Sequence, residues 1–372
     1  MDQHLEENNG ILSIAPGRIC LFGDHQDYLG LPIIACAINR HITLKAVKNN
    51  NSFFYIKMPD VNEERIIKIT DQLEDIGNDD HLRSALKVLR RYNCVPVEGY
   101  DITIVGNLPI NAGTSSSTAM LIAWLQFIIQ ASGSTTLLNP ETIAQIAYEA
   151  EVLEHGNPGG KMDQYSIALG KVLYLETGNA YNYQSLDIPL KGLIIGESGI
   201  PKKTVGLLKE LKEKTWLAIH RVMDESNDFD LSKTTSLQIK KYLHYIPESL
   251  KDYFIAAISN HEITKKAFIE FKKDQMDYEY LGTLMNAHHE VLKNLLKITV
   301  PRIDDMIAAA LNSGAYGAKI VGSGGGGNII ALAPEGKEKQ VIQAIKNAGA
   351  KDAYQVKVDN GPQIINLEKV LN

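Results

Sequence analysis

APGRICLFGDHQDYLG, residues 15–30, continues an apolar run, ILSIA, that has the composition of a β-strand. Between Arg18 and Gly30 the chain places one arginine, two aspartates and a histidine among glycines. A polar turn capping the strand accounts for any one of these residues. Four polar groups together (Arg18, Asp24, His25 and Asp27) point instead to a loop that meets a polar ligand.

Three further polar knots lie downstream. LPINAGTSSSTAM, 108–120, sets a glycine and three serines ahead of TAMLIAWLQFIIQAS, a long apolar helix pattern. A helix N-terminus carries unpaired N–H groups and a positive dipole end. Glycine backbone and serine hydroxyls add donors at close range. The loop is a candidate phosphate cradle; the plainer reading is an N-cap by Ser115 or Ser116. Its spacing departs from GxxxxGK[ST], which disfavours a P-loop enzyme. HGNPGGKMDQYS, 155–166, sets Asp163 in a loop after a helix ending at Gly156, where an acid can be a base, a ligand or a turn residue. GSGGGG, 322–327, joins two apolar strand-like runs and implies that another group approaches its backbone.

The 372 residues are comfortable for two domains. With 44% hydrophobic and 22% charged residues the chain reads as globular, and its net charge of -6 speaks against nucleic acid as the main partner. Cys20, Cys36 and Cys94 lie in or beside apolar stretches without CxxC spacing, which fits a reducing compartment. The first residues, MDQHLEENNG, are acidic and unlike a secretory signal, and no apolar run approaches the roughly 20 residues of a membrane span. The expectation is a cytoplasmic protein without a membrane partner. Strand and helix patterns alternate in the first half, the second half turns helical, and the shift falls near 180–205. The class is α+β with two domains side by side. The pair His288 and His289 is read as helix packing and surface, since adjacent helical residues point about 100° apart.

In this order the four motifs resemble those of the GHMP kinase superfamily, which groups galactokinase with homoserine, mevalonate and phosphomevalonate kinases. The resemblance runs from about 13 to 365. GDHQDYLG is similar to galactokinase GEHxDYxxG, and GGKMDQYS to its CGIMDQ; HGNPGG, GESGIPKKT and GAKIVGSGGGG look more like mevalonate or heptose kinases. The chain departs from the galactokinase pattern in lacking the Asn-Val-x-His segment after the acid loop. Asp24 stands for glutamate, Thr118 for alanine and Gly325 for phenylalanine.

The resemblance implies a two-domain GHMP kinase fold: residues 1–190 as a ribosomal-protein-S5-like α/β domain and 191–372 as a ferredoxin-like α+β domain. It implies ATP and Mg2+ as cofactors. The activity implied is phosphorylation of a sugar, galactose or a related hexose, at its anomeric hydroxyl. A mevalonate- or heptose-type kinase and a catalytically silent sugar sensor are the alternatives. Gly113, Ser115, Ser116 and Ser117, with Gly324 and Gly325, would hold the nucleotide phosphates. Ser117 and Glu151 would hold magnesium, the bland reading of Glu151 being a solvent-facing helix residue. Asp163 would accept or orient the acceptor hydroxyl beside Arg18. Arg18, Asp24, His25, Asp27, Gly160 and Asp163 would line the sugar.

Overall fold

The strand that opens the motif does not stop at the charged residues. In the computed structural model, which describes residues 10–77, 80–109, 113–178, 182–202 and 204–367, β1 (Ile11–Phe22) runs through Pro16 and Arg18. It pairs antiparallel with β2 (Ile33–Lys48), and the register shifts between Pro16 and Gly17. That bulge is where a strand tolerates a proline. β2 is one continuous 16-residue strand. The acidic N-terminus and Asn111 and Ala112 of the serine loop lie outside the described residues.

Next come β3 (Phe53–Met58), β4 (Glu63–Lys68), α1 (His81–Arg91), β5 (Tyr100–Gly106), α2 (Ser116–Ala131), α3 (Pro140–Tyr148), α4 (Met162–Leu169), β6 (Val172–Glu176) and β7 (Asn182–Leu186). Asp80 accepts from the Arg83 N–H at the start of α1, and Asn139 from Thr142 at the start of α3, each satisfying an orphan donor. α2 is apolar on nearly every face, as a helix enclosed on all sides must be. It packs on β1 and β2 and is flanked by α1, α3 and α4. Trp124 and Phe127 meet Phe54 and Tyr100 edge to face, with centroids 5.3 Å (Trp124–Phe54) and 5.0 Å (Phe127–Tyr100) apart. Residues 149–153 continue α3 as one π-helical turn.

The second half holds β8 (Leu193–Glu197), α5 (Thr204–Glu225), α6 (Ile239–Tyr242), α7 (Glu248–Phe271), α8 (Tyr278–Asn294), α9 (Pro301–Asn312), β9 (Gly317–Val321), β10 (Asn328–Leu332), α10 (Glu338–Asn347), β11 (Asp352–Gln355) and β12 (Gln363–Asn366). β11-β8-β10-β9 form an antiparallel sheet. Met306, Ile307, Val341 and Ile345 of α9 and α10 belong to its core. The larger sheet runs β12-β1-β2-β5-β3-β4, and β6 and β7 extend from the other part of β2. The last strand therefore returns to the first sheet.

The polar loop after β1 is built into the second half. Tyr28, Leu29 and Leu31 share a buried apolar cluster with Ala218, Ile219 and Val222 of α5 and Phe254 and Ile258 of α7. The Trp216 indole N–H of α5 donates to the Tyr28 carbonyl at 3.2 Å. Thr177, just after β6, donates to the Leu31 carbonyl at 2.8 Å. A loop so held presents its side chains in fixed directions.

Candidate active site

Arg18 reaches the site from the middle of β1, where its neighbour has no side chain. A Cβ on Gly17 would stand 2.3 Å from Leu108 Cδ2 and 2.8 Å from the Thr114 carbonyl. The absent methyl lets the serine loop lie against β1, and the Arg18 amide donates to that Thr114 carbonyl at 3.1 Å. The Arg18 side chain is 3% exposed. Its Nη1 donates to the Gly113 carbonyl at 2.5 Å and its Nε to Asp163 Oδ1 at 2.7 Å.

Asp163 does not sit in a loop. It lies in the first turn of α4, where a carboxylate is favoured by the helix dipole. Its Oδ2 accepts from the Ser115 hydroxyl at 2.5 Å, and 31% of its side chain remains exposed. Burial acts to raise the Asp163 carboxyl, but the Arg18 guanidinium and the Ser115 hydroxyl outweigh it and hold the group below the usual value. The result is an ionised carboxylate, clamped from behind and open in front. Ser115 occupies the N-cap position of α2 in a left-handed conformation, φ 55°, and makes no side-chain cap. Its hydroxyl serves Asp163 instead. The half-buried Ser116 and the exposed Ser117 begin the helix, so the α2 N-terminus carries hydroxyls beside free backbone donors.

Glu151 lies in the π-helical turn and faces the site. Ser117 Oγ donates to its Oε1 at 3.3 Å and Gln164 Nε2 to its Oε2 at 2.7 Å, while Thr118 Oγ1 lies 3.0 and 2.8 Å from the two oxygens. Burial, then the nearby Asp163, push the Glu151 carboxyl up to about 7. Hydroxyl and amide donors surround it, and a divalent cation would relieve both the burial and the repulsion. One carboxylate, one hydroxyl, waters and phosphate oxygens make a donor set suited to octahedral Mg2+. Among the described residues no cluster of three His, Cys, Asp or Glu side chains would bind a metal alone.

Asp27 faces Gly160. A Cβ at residue 160 would stand 2.2 Å from Asp27 Oδ2, so any larger residue there would have to displace the Asp27 carboxylate. Asp27 Oδ1 accepts from the Tyr28 N–H at 3.0 Å. Burial, and then Asp163, raise Asp27 to about 6. His25, with φ 64°, pairs its Nδ1 with the Tyr28 hydroxyl at 3.2 Å, and its Nε2 is buried without a hydrogen-bond partner. Burial lowers this imidazole to about 4, so it is neutral at pH 7.

The structure gives five sequence-picked residues a different setting. Asp24 is 1% exposed and already paired: Oδ2 accepts from Lys319 Nζ at 2.6 Å and Oδ1 from the Gly322 N–H at 2.9 Å. Burial would raise its carboxyl, yet Lys319 brings it down to about 2. Gly325 donates its amide to the Ile298 carbonyl at 2.7 Å, and a Cβ on Gly324 would meet Ile298 Cβ at 2.5 Å. The group that approaches these glycines is Ile298. His288 and His289 are both buried, correcting their part-surface reading; His288 stacks on Phe22, and His289 Nε2 lies 3.8 Å from Asp304.

Sequence reasoning missed Lys202, Lys319 and Gln164 as site residues. Lys202 is half-buried; burial and then Arg18 lower its ammonium to about 8, against the opposing pull of Asp163. Its Nζ would lie 3.6 Å from a Cβ at Gly322. Lys202 lies within GESGIPKKT, a stretch noted only for its likeness to mevalonate or heptose kinases. Gln164 follows Asp163 directly. Lys319 sits in a run of apolar strand residues, and a lone lysine inside such a run is itself a signal of a buried partner.

The site thus joins a serine-capped helix N-terminus, an arginine-clamped carboxylate and a second acid ringed by donors. Family models match the chain. The description "GHMP kinases N terminal domain" matches residues 80–171 and "GHMP kinases C terminal" matches 265–351. The chain belongs to the GHMP kinases. As a GHMP kinase it is an ATP-dependent small-molecule phosphotransferase of mixed α+β architecture. The "Galactokinase galactose-binding signature" matches residues 3–47. The chain is 28% identical over 348 residues to a mevalonate kinase of Thermococcus sibiricus, covering 91% of this chain and 93% of the relative. It is 26% identical over 340 residues to a galactokinase of Pyrococcus furiosus, covering 89% and 91%. In fold it is similar to Lactococcus lactis galactokinase solved with galactose, at TM-score 0.83 and 21% identity over 95% of each chain.

Proposed function

We propose that this GHMP kinase transfers the γ-phosphoryl group of ATP to the anomeric hydroxyl of a sugar, galactose or a related hexose. The observation that carries the reading is the Asp163 carboxylate, ionised, partly exposed, and fixed by Arg18 and Ser115 beside the α2 N-terminus. In this reading Asp163 orients the acceptor O–H and takes its proton as the new O–P bond forms and the bond to ADP breaks. Little early deprotonation is needed for a loose transition state, so positioning supplies most of the effect. Arg18 and Lys202 stabilise charge on the transferred group. Gly113 and Ser115 to Ser117 receive the phosphates at the helix N-terminus. Ser117 and Glu151 would hold Mg2+, which supplies charge neutralisation.

Asp27 and His25 would line the acceptor pocket, with Gly160 leaving room for the acid. A carboxylate that accepts two hydrogen bonds suits neighbouring ring hydroxyls. The galactose-binding signature over this segment supports a sugar acceptor. A mevalonate-type reading has its own support: Lys202 beside Arg18 offers a second cation to an acceptor carboxylate, and the Thermococcus relative is a mevalonate kinase. The two-domain division at 190/191 remains part of the proposal, with β12 returning to the first sheet.

An ADP-release assay over free hexoses, heptoses, uronic acids and mevalonate decides between them. The expected result is turnover with a hexose and formation of the 1-phosphate. Mevalonate outperforming every sugar would reverse the acceptor assignment. Nucleotide-dependent sugar binding with no turnover would make the chain a sensor. Asp163→Asn is expected to keep acceptor binding while turnover falls by about 10²-fold or more.

A further inference from the structure

Asp24 and Lys319 are 295 residues apart in sequence, and each is almost completely buried. They come from different sheets: Asp24 follows β1, and Lys319 stands in the middle of β9. Lys319 Nζ also donates to the Cys20 carbonyl of β1 at 3.1 Å. The second carboxylate oxygen of Asp24 takes the Gly322 N–H, one residue beyond β9. Both Asp24 oxygens and two Nζ donors of Lys319 are thus spent across the junction of the two sheets. His288 of α8 is wholly buried, with neither ring nitrogen hydrogen-bonded, and Asp24, Lys319 and His25 act electrostatically on it.

The junction continues into the phosphoryl-transfer site. Gly322 abuts the serine loop: a Cβ there would lie 3.5 Å from Gly113 Cα, and one on Gly113 would lie 2.9 Å from the Val321 carbonyl. The Gly113 carbonyl in turn receives Arg18 Nη1. Lys319, Asp24, Gly322, Gly113 and Arg18 form one contiguous chain of contacts. Movement of β9 relative to β1 would shift the group that holds Asp163.

We propose that Lys319 is a positioning residue for phosphoryl transfer: its buried pair with Asp24 fixes β9 and the Gly322 turn against the Gly113–Arg18 contact, and Asp24 serves this clamp, not the acceptor. The proposal deepens the kinase reading and rests on it for its kinetic readout. A shortened acid fits the clamp, since both Asp24 oxygens are taken, one by the Lys319 ammonium and one by the Gly322 N–H. Acceptor recognition then falls to Asp27 and His25. An ammonium held by a carboxylate and a carbonyl in a dry junction is satisfied only there, so the clamp has one register.

The test compares Asp24→Asn, Lys319→Met, the double variant and Lys319→Arg in the full chain. It reads kcat, acceptor KM, affinity for a fluorescent ADP analogue with Mg2+, and the unfolding midpoint. Each single variant is expected to lose at least 10-fold in kcat and to lower the midpoint. Acceptor KM should change less than 3-fold. The double variant should be no worse than the worse single variant, because the two changes remove one interaction. Lys319→Arg should recover part of kcat, and it keeps the test usable if a single variant does not fold. Three results would overturn the proposal: additive losses in the double variant; Asp24→Asn raising acceptor KM 10-fold or more with kcat intact; or Lys319→Met leaving kcat and the midpoint unchanged. If wild type turns over no acceptor, the kinase reading fails separately, and the midpoints and nucleotide affinities still decide whether the clamp exists.

Discussion

At the scale of single residues, the site works by setting like groups apart. Asp163 and Asp27 are both aspartates near one pocket, yet Arg18 holds the first ionised while burial and Asp163 raise the second to about 6. The Asp27 shift has a defined sign. A carboxyl whose folded value lies above its unfolded value binds more protons in the folded state, so stability falls as pH rises from about 4 through 6. Asp27→Asn should therefore raise the unfolding midpoint at pH 8, by the equivalent of about 1–3 kcal/mol, and leave it nearly unchanged at pH 4. Thermal melts at the two pH values check this. The same variant should raise acceptor KM, which a turn residue would not do. Arg18 and Asp27 stand out in the sequence because chemistry-bearing residues crowd into one short motif, whereas Asp163 and Glu151 took their expected roles from the family resemblance. Lys319 was legible only as a lysine out of place in an apolar strand, its partner Asp24 lying 295 residues away, and nothing around Lys202 in the sequence records Arg18 or Asp163.

Elements show the same division between local and distant causes. α2 was legible from its apolar run, and the glycine turn between β9 and β10 from its composition. β1 was read as too short, because proline and charge normally end a strand and only the bulge against β2 carries it past Pro16. α7, a single 24-residue helix, divides its apolar positions among three clusters, so no single stripe in the sequence marks its length. The acid loop is the element on which acceptor binding should turn. Gly160→Ala would drive a methyl into Asp27, so acceptor KM is expected to rise about 10-fold, near 1.4 kcal/mol, with nucleotide affinity unchanged. The π-helical turn at 149–153 sets the direction of Glu151 in a comparable way. Removing one residue from it would restore α-helical phase and rotate Glu151 about 100° away from Ser117, Thr118 and Gln164. The deletion variant should stay folded by circular dichroism and lose its response to Mg2+.

Across the whole molecule the two sheets are tied at several points. β12 pairs with β1 at the edge of the large sheet, the loop after β1 is buried among α5 and α7, and Lys319 reaches Asp24. Cohesion of this kind favours a single unfolding event over two. Differential scanning calorimetry should record one transition, shifted upward together by nucleotide and Mg2+ through mass action. Two resolved transitions would mean that the sheets melt independently.

The path of the chain through that acceptor loop has a consequence for how the protein is made. Synthesis runs from the N-terminus, and the early part of a chain often folds while the rest is still being translated. Tyr28, Leu29 and Leu31 leave the ribosome long before Phe254 and Ile258, which complete their hydrophobic enclosure. Asp24 waits longer still, for Lys319. The residues read as the substrate loop are thus translated well before the residues that enclose them. A nascent chain arrested near residue 190 can hold much of the first sheet, yet should show this segment open to protease and unable to retain any acceptor.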